Sequence, residues 1–201
     1  MNKDLDYIFA CQAEMIPHHV EKERKNNARW SCSTPVDLST RAGQMQIKDF
    51  FWRVTEEVTE TIDKFRHSAS AEDIMEELVD VLHFLVEVAI HVGVTPYDLA
   101  PVNNDQKLQY LFDRRRVAMD SVDHSGYELI HELGQCAAMM KARPWRDKFP
   151  PVHKDDLIPH IRSAFMYLLS MFGLLVTNIE EIVEAFTHKY NINKRRLAEG
   201  Y

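Results

Sequence analysis

The sequence predicts an all-α protein, a helical bundle of long antiparallel helices around a carboxylate-rich metal site. Three observations carry the fold class. The 201 residues include only 6 Gly and 8 Pro, so turns are few and segments long, which suits a bundle better than a sandwich or barrel. No alternation of apolar and polar residues persists long enough to mark a strand. Apolar residues recur instead at helical spacing along most of the chain. The length suits one domain over 1–201, and 45% apolar with 27% charged residues is an ordinary globular balance.

Each element has its own signal. Leu5, Ile8, Phe9, Met15 and Ile16 mark a helix over 3–24, and Pro17 is expected to kink or end it. Residues 25–40 are polar and irregular, a loop long enough to suggest function. Ile47, Phe50, Phe51, Val54, Val58, Ile62 and Phe65 form the stripe of a long helix over 41–67. Ser70 followed by Asp73 starts the next helix. It runs to about Val92, stops at Gly93, and buries Ile74, Leu78, Val81, Leu82, Leu85, Val88, Ala89 and Val92. The short link between these two helices makes them antiparallel neighbours. Thr95-Pro96 opens a short helix. Helices are expected over 104–122, 126–142 and 155–176, with a Pro-rich loop around Trp145. Asn178 caps the last helix, and Glu181 is placed to complete a capping box.

Charge and composition narrow the function. Net charge is −7 with a pI near 5.8, and no basic stripe of the kind that binds a nucleic-acid polymer is present. An acidic protein binds a polyanion when divalent metal sits between them. Cys11, Cys32 and Cys136 are scattered, without a C-x-x-C pair, which fits reduced thiols in a cytoplasmic protein. No signal-like run follows the N-terminus, and Phe165 to Val176 is too short to span a bilayer, so no membrane association is expected.

The chemistry lies on the two middle helices. The first carries Glu56, Glu57 and Glu60, the second Glu76, Glu77 and Asp80. Residues three apart share a helix face, so Glu57 pairs with Glu60 and Glu77 with Asp80, both beside the apolar stripe. Antiparallel packing would bring four carboxylates together. They would repel one another unless neutralised, and hard oxygen ligands favour Mg²⁺ or Mn²⁺. Such ions bind phosphate oxygens and make a water more nucleophilic, which points to hydrolysis of a phosphoanhydride. A solvated acidic face is the common alternative for any one such pair.

Glu56-Glu57-Val58-Thr59-Glu60 with Glu77-Leu78-Val79-Asp80 resembles the signature of the all-α NTP pyrophosphatase superfamily, which includes MazG-type enzymes and dimeric dUTPases. Asp80-Val81-Leu82-His83-Phe84 resembles the dimeric dUTPase branch, as does the spacing of Phe186, Lys189, Asn193, Arg196, Gly200 and Tyr201. The resemblance implies that Glu57, Glu60, Glu77 and Asp80 hold Mg²⁺, with Mn²⁺ able to substitute. One of Glu57 and Glu60, or Glu56, would orient the attacking water. Lys189 and Arg196 would reach phosphate oxygens, and Asn193 the sugar or a phosphate. It also implies a homodimer and a nucleotide substrate of the dUTP or dCTP class, cut to the monophosphate and pyrophosphate. The sequence departs from the family at Tyr190, where Asn is usual, and at Leu197, where Gln is usual. Gln12 matches a Gln that precedes a base-reading Asn in the family, but no Asn follows at that step, so the base stays open.

Trp52, on the acid-bearing helix, and Trp145, between Arg143 and Arg146, are candidates to stack on a base. Two alternatives come from other classes. A di-iron carboxylate protein wants two Glu-x-x-His pairs. Glu128 with His131 supplies one, and Asp80 with His83 is a poor second. A non-enzymatic helical scaffold would turn the acids to solvent and bind through an apolar groove.

Overall fold

The computed structural model of the chain describes residues 4–26, 33–103, 105–115 and 121–199. Among these residues there are eight helices and no strand: α1 (Leu5–Asn26), α2 (Arg41–Arg66), α3 (Ala71–His91), α4 (Pro96–Leu99), α5 (Lys107–Asp113), α6 (Val122–Met139), α7 (Lys154–Phe172) and α8 (Ile179–Ala198). Cys32, residues 116–120 of the helix expected over 104–122, and Gly200 and Tyr201 of the C-terminal run lie outside the described residues. No described helix is long and apolar enough to cross a membrane.

Local signals set the helix starts. Thr40 accepts from the Gly43 amide. Ser70 accepts from the Asp73 amide at 3.1 Å while its hydroxyl donates to the Asp73 carboxylate at 2.6 Å. Asn178 accepts from the Glu181 amide at 3.1 Å, and its own amide nitrogen donates to the Glu181 carboxylate at 2.6 Å. The reciprocal capping box is complete at Thr95 and Asp98, with Pro96 at the first turn.

The structure departs from the sequence pattern in three places. Pro17 lies inside α1 and does not end it. The carbonyl that loses its intrahelical bond belongs to Ala13, on the exposed face of the helix, where solvent is accessible. Described helix in the 104–122 stretch is confined to the two turns of α5. There the Asp4 carboxylate accepts from the amides of Lys107 at 2.8 Å and Leu108 at 2.7 Å. Helix α6 begins a turn earlier than its apolar pattern, because Ser121 caps it through the His124 amide.

Helix α3 is central. Helices α1, α2, α7 and α8 all pack on it, and Leu78, Val81, Leu82 and Leu85 are fully buried there. Helices α2 and α3 are antiparallel: Lys64 meets Asp73 and Glu77, while Phe50, fourteen residues earlier, stacks on His91. Helix α6 crosses α2 at Gly126, where a Cβ would come within 2.6 Å of the Ile62 Cδ1. The 140–150 loop is held to the start of α2. Arg41 donates to the carbonyls of Arg143 and Arg146, Gln44 to that of Pro150, and Lys48 to those of Met140 and Ala142.

Two glycines test this packing in opposite directions. A Cβ at Gly43 would lie 2.1 Å from the Asp37 carbonyl oxygen, a backbone atom that cannot swing away. Gly43→Ala is expected to cost about 1–3 kcal/mol, as overpacking does. At Gly134, inside α6, nothing lies within 4 Å of an added Cβ. Gly134→Ala is expected to gain roughly 0.5–1 kcal/mol from helix propensity. Urea denaturation of both variants measures the contrast.

Candidate active site

The acidic residues of α2 and α3 meet where the helices face each other. Carboxylate oxygens of Glu57, Glu60 and Glu77 all lie within 4.8 Å of one another. Glu57 and Glu77 are half-buried and Glu60 is exposed. Burial pushes the Glu57 carboxyl up, and the charges of Asp80, Glu60 and Glu77 push it further, to about 7. Asp80 is therefore an electrostatic neighbour of the trio, although its Oδ2 is held at 2.7 Å by the ammonium of Lys189. Burial raises the Asp80 carboxyl, and the opposing Lys189 contact does not fully offset it.

Two lysines neutralise part of this charge. Lys64, one turn past Glu60, donates to Glu77 at 2.5 Å. Lys189 enters from α8 and bridges Asp80 and Glu76, both at 2.7 Å. Burial alone would lower the Lys189 pKa, but its two carboxylate partners raise it. Arg196, exposed on the last turn of α8, helps hold the Glu76 carboxyl below its usual range, after Lys189 and Lys64.

The donor set tests which ion would fit. It is entirely carboxylate, with no imidazole or thiolate in the group. Hard divalent cations match such oxygens, and their charge would oppose both the burial and the neighbouring carboxylates that raise the Glu57 carboxyl. His131, of the Glu-x-x-His alternative, is exposed on α6 and stacks on Tyr127. It is absent from the one metal-competent group among the described residues.

A small cavity of about 100 Å³ opens beside Asp80. It is lined by Gln12, Met15 and His19 of α1, Asp80, His83, Phe84 and Glu87 of α3, and Asn193 of α8. Helices α1 and α8 are tied by Glu14, which accepts from the Tyr190 hydroxyl and the Lys194 ammonium, both at 2.6 Å. The structure thus places Gln12 and Asn193 around one cavity that touches the acidic group. Glu56 and Trp52 stand apart. The Trp52 indole N–H donates to Glu56 at 2.9 Å on the exposed side of α2, and Glu56 is not in the carboxylate trio. Trp145 is 79% exposed, in the loop bound to the start of α2. Lys48, which anchors that loop, precedes Glu57 by nine residues, about 13 Å of helix.

Sequence reasoning missed Lys64 and Glu87 as members of the site, and it named Glu76 among the acids without giving it a role. Lys64 had a signal, being seven residues past Glu57 on the same helical face. Glu87 had a fainter one, a lone acid in the apolar run from Val81 to Ile90.

Fold and site together define an all-α nucleotide pyrophosphatase: paired helices carrying E-x-x-E and E-x-x-D, with a lysine from the C-terminal helix at the acids. A family model described as dUTPase matches residues 54–201, and the chain belongs to that family. It is accordingly an enzyme that hydrolyses dUTP, in a family that depends on divalent metal. The matched stretch holds all the acids, Lys189, Asn193 and Arg196, whereas Gln12 and Trp52 precede it. No curated protein and no solved structure matches the chain significantly.

The state of Glu57 makes a pH prediction. Burial and the neighbouring carboxylates hold its carboxyl at about 7 in the folded chain, against an ordinary 4.5. Below the lower value both folded and unfolded chains hold the proton. As pH rises from about 5 to 7 the unfolded chain releases it first, so the metal-free protein loses stability across that window. The melting temperature of metal-free protein is expected to fall from about pH 5 to 8, with a shallower fall in Glu57→Gln. Thermal denaturation in chelator checks both.

Proposed function

We propose that the protein hydrolyses dUTP to dUMP and pyrophosphate with Mg²⁺, for which Mn²⁺ substitutes, and that residues 1–201 act as one catalytic domain. The observation that carries this reading is the convergence of Glu57, Glu60 and Glu77 within 4.8 Å, with Asp80 beside them. These four residues would hold the ions. Divalent cations bound there supply Lewis acidity, drawing in phosphate oxygens and making a water more acidic.

The chain's own groups divide the remaining work. Glu57, half-buried within the trio, is placed to take the proton of the attacking water. Glu60, three residues on, orients that water from the solvent side. The bond between the α- and β-phosphates breaks, and the leaving pyrophosphate gains charge. Lys189 and Arg196 meet that charge from α8. Gln12 and Asn193 form walls of the cavity that takes the base and sugar, and Asp80 marks where that cavity joins the phosphate side. Glu56, paired with Trp52 on the exposed side of α2, takes no part in this division.

The assembly proposed is a homodimer. Met45 and Trp52 are exposed large apolar residues seven apart on one face of α2, a surface suited to a second copy. The buried free thiols of Cys11 and Cys136 suit the cytoplasm.

Purified protein incubated with dUTP and Mg²⁺ should release dUMP and pyrophosphate in equal amounts, and nothing in chelator. Glu77→Gln and Asp80→Asn should each lose at least about 100-fold in kcat, the order seen when electrostatic transition-state groups are removed, while keeping the helical circular-dichroism spectrum. A parallel panel with dCTP and modified dNTPs fixes the base. Release of orthophosphate in place of pyrophosphate would sink the proposed reaction.

A further inference from the structure

A buried polar relay runs beneath the cavity. Glu87 lies seven residues past Asp80 on α3 and is only 4% exposed. Burial pushes its carboxyl up, but His19 and His91, 3.6 and 3.7 Å away, outweigh that and hold it at about 2. A carboxylate only accepts hydrogen bonds, so Gln12 must turn its amide nitrogen toward Glu87, and the two meet at 3.0 Å. The other end of that amide, Oε1, then faces His83 Nδ1 at 2.8 Å. An amide oxygen also only accepts, so Nδ1 must carry a proton. Burial holds the imidazole's pKa down at about 4, and the ring is neutral near pH 7. Its Nε2 therefore keeps a lone pair, buried and without a hydrogen-bond partner among the described residues. Phe186 stacks on the ring at 4.4 Å between centroids and fixes its plane.

We propose that Glu87 is a positioning residue that acts through Gln12 to lock His83 as the Nδ1–H tautomer, so that the cavity offers an imidazole lone pair to an N–H of the nucleobase. This rests on the reading that the cavity takes the base. Uracil presents one N–H on its pairing edge, at N3, between two carbonyl acceptors. A base with no N–H there cannot satisfy Nε2, and the unpaired buried acceptor costs affinity. The relay thus selects for a donor on the base.

The test reads the tautomer and the base contact separately. In ¹⁵N-histidine-labelled protein without nucleotide, the His83 ring is expected to show a protonated Nδ1 and an unprotonated Nε2. In Glu87→Gln the new amide offers either oxygen or nitrogen to Gln12, so Gln12 can reverse and the proton is expected to redistribute to Nε2. The KM for dUTP should then rise about tenfold, equivalent to ~1.4 kcal/mol, with kcat within about twofold. For 3-methyl-dUTP, which has no N3–H, wild type and Glu87→Gln should share one KM. A wild-type proton on Nε2, an unchanged tautomer in Glu87→Gln, or an equal KM rise for both nucleotides would overturn the proposal. If Glu87→Gln fails to fold, Gln12→Met removes both bonds of the relay and must likewise release the His83 tautomer. Absence of any dUTP turnover in the wild type would defeat the base-site reading, while the spectrum still decides the relay.

Discussion

The structure is organised around an electrostatic conflict between two packed helices. Val58, Leu78 and Val81 are fully buried, and the apolar seam they help form holds α2 against α3. The same seam forces Glu57, Glu60, Glu77 and Asp80 into one small volume. Helix geometry couples the two effects, since residues one position from a buried one border the core. Glu57 pays most visibly, with its carboxyl driven to about 7. A scaffold has no use for such a cost, because replacing any member of the group by a neutral residue would relieve it. The conflict has a purpose only if cations complete the site.

Lys64 and Lys189 make the metal-free fold tolerable. They arrive from different directions, Lys64 from the same helix as Glu57 and Lys189 from the C-terminal helix, and each takes carboxylates from α3. Neither removes the burden on Glu57, which Lys189 lowers less than burial and the neighbouring carboxylates raise it. The site is thus partly neutralised by flexible ammonium groups and still short of positive charge. Ammonium groups can be displaced from carboxylates by a divalent cation, because the pairs are contacts between side chains and not part of the backbone scaffold. The packing of α8 on α3 decides where Lys189 sits, so the C-terminal helix brings a cation to the acids by its placement as much as by its sequence.

Much of this was legible from residue spacing. The stripes of α2 and α3, their antiparallel arrangement and the trio of Glu57, Glu60 and Glu77 follow from periodicity and one short link. What spacing could not show depends on contacts between distant segments. Asp80 shares a face with Glu77, yet its partner is Lys189, 109 residues away. Glu56 is one residue from Glu57 but about 100° around the helix, enough to turn it to Trp52 and the solvent. Helix α5 starts only at Lys107 because the Asp4 carboxylate that caps it comes from 103 residues away, beyond the reach of local spacing. Pro17 was expected to kink or end α1, and the helix continues through it.

The division of labour along the chain follows from which residues lie inside the family match. The acids, Lys189, Asn193 and Arg196 all fall within 54–201, and they are the groups proposed to act at the phosphates, which every nucleotide presents alike. Discrimination among bases needs polar atoms at the cavity wall, and α1, which precedes the match, supplies Gln12 there. A lone polar side chain on that wall would be a poor discriminator, since an amide can rotate to offer either a donor or an acceptor. Gln12 escapes this ambiguity because Glu87 can only accept, and that fixes the amide, which in turn fixes His83. An ionised group can therefore define the hydrogen-bonding sense of a neutral one beside it.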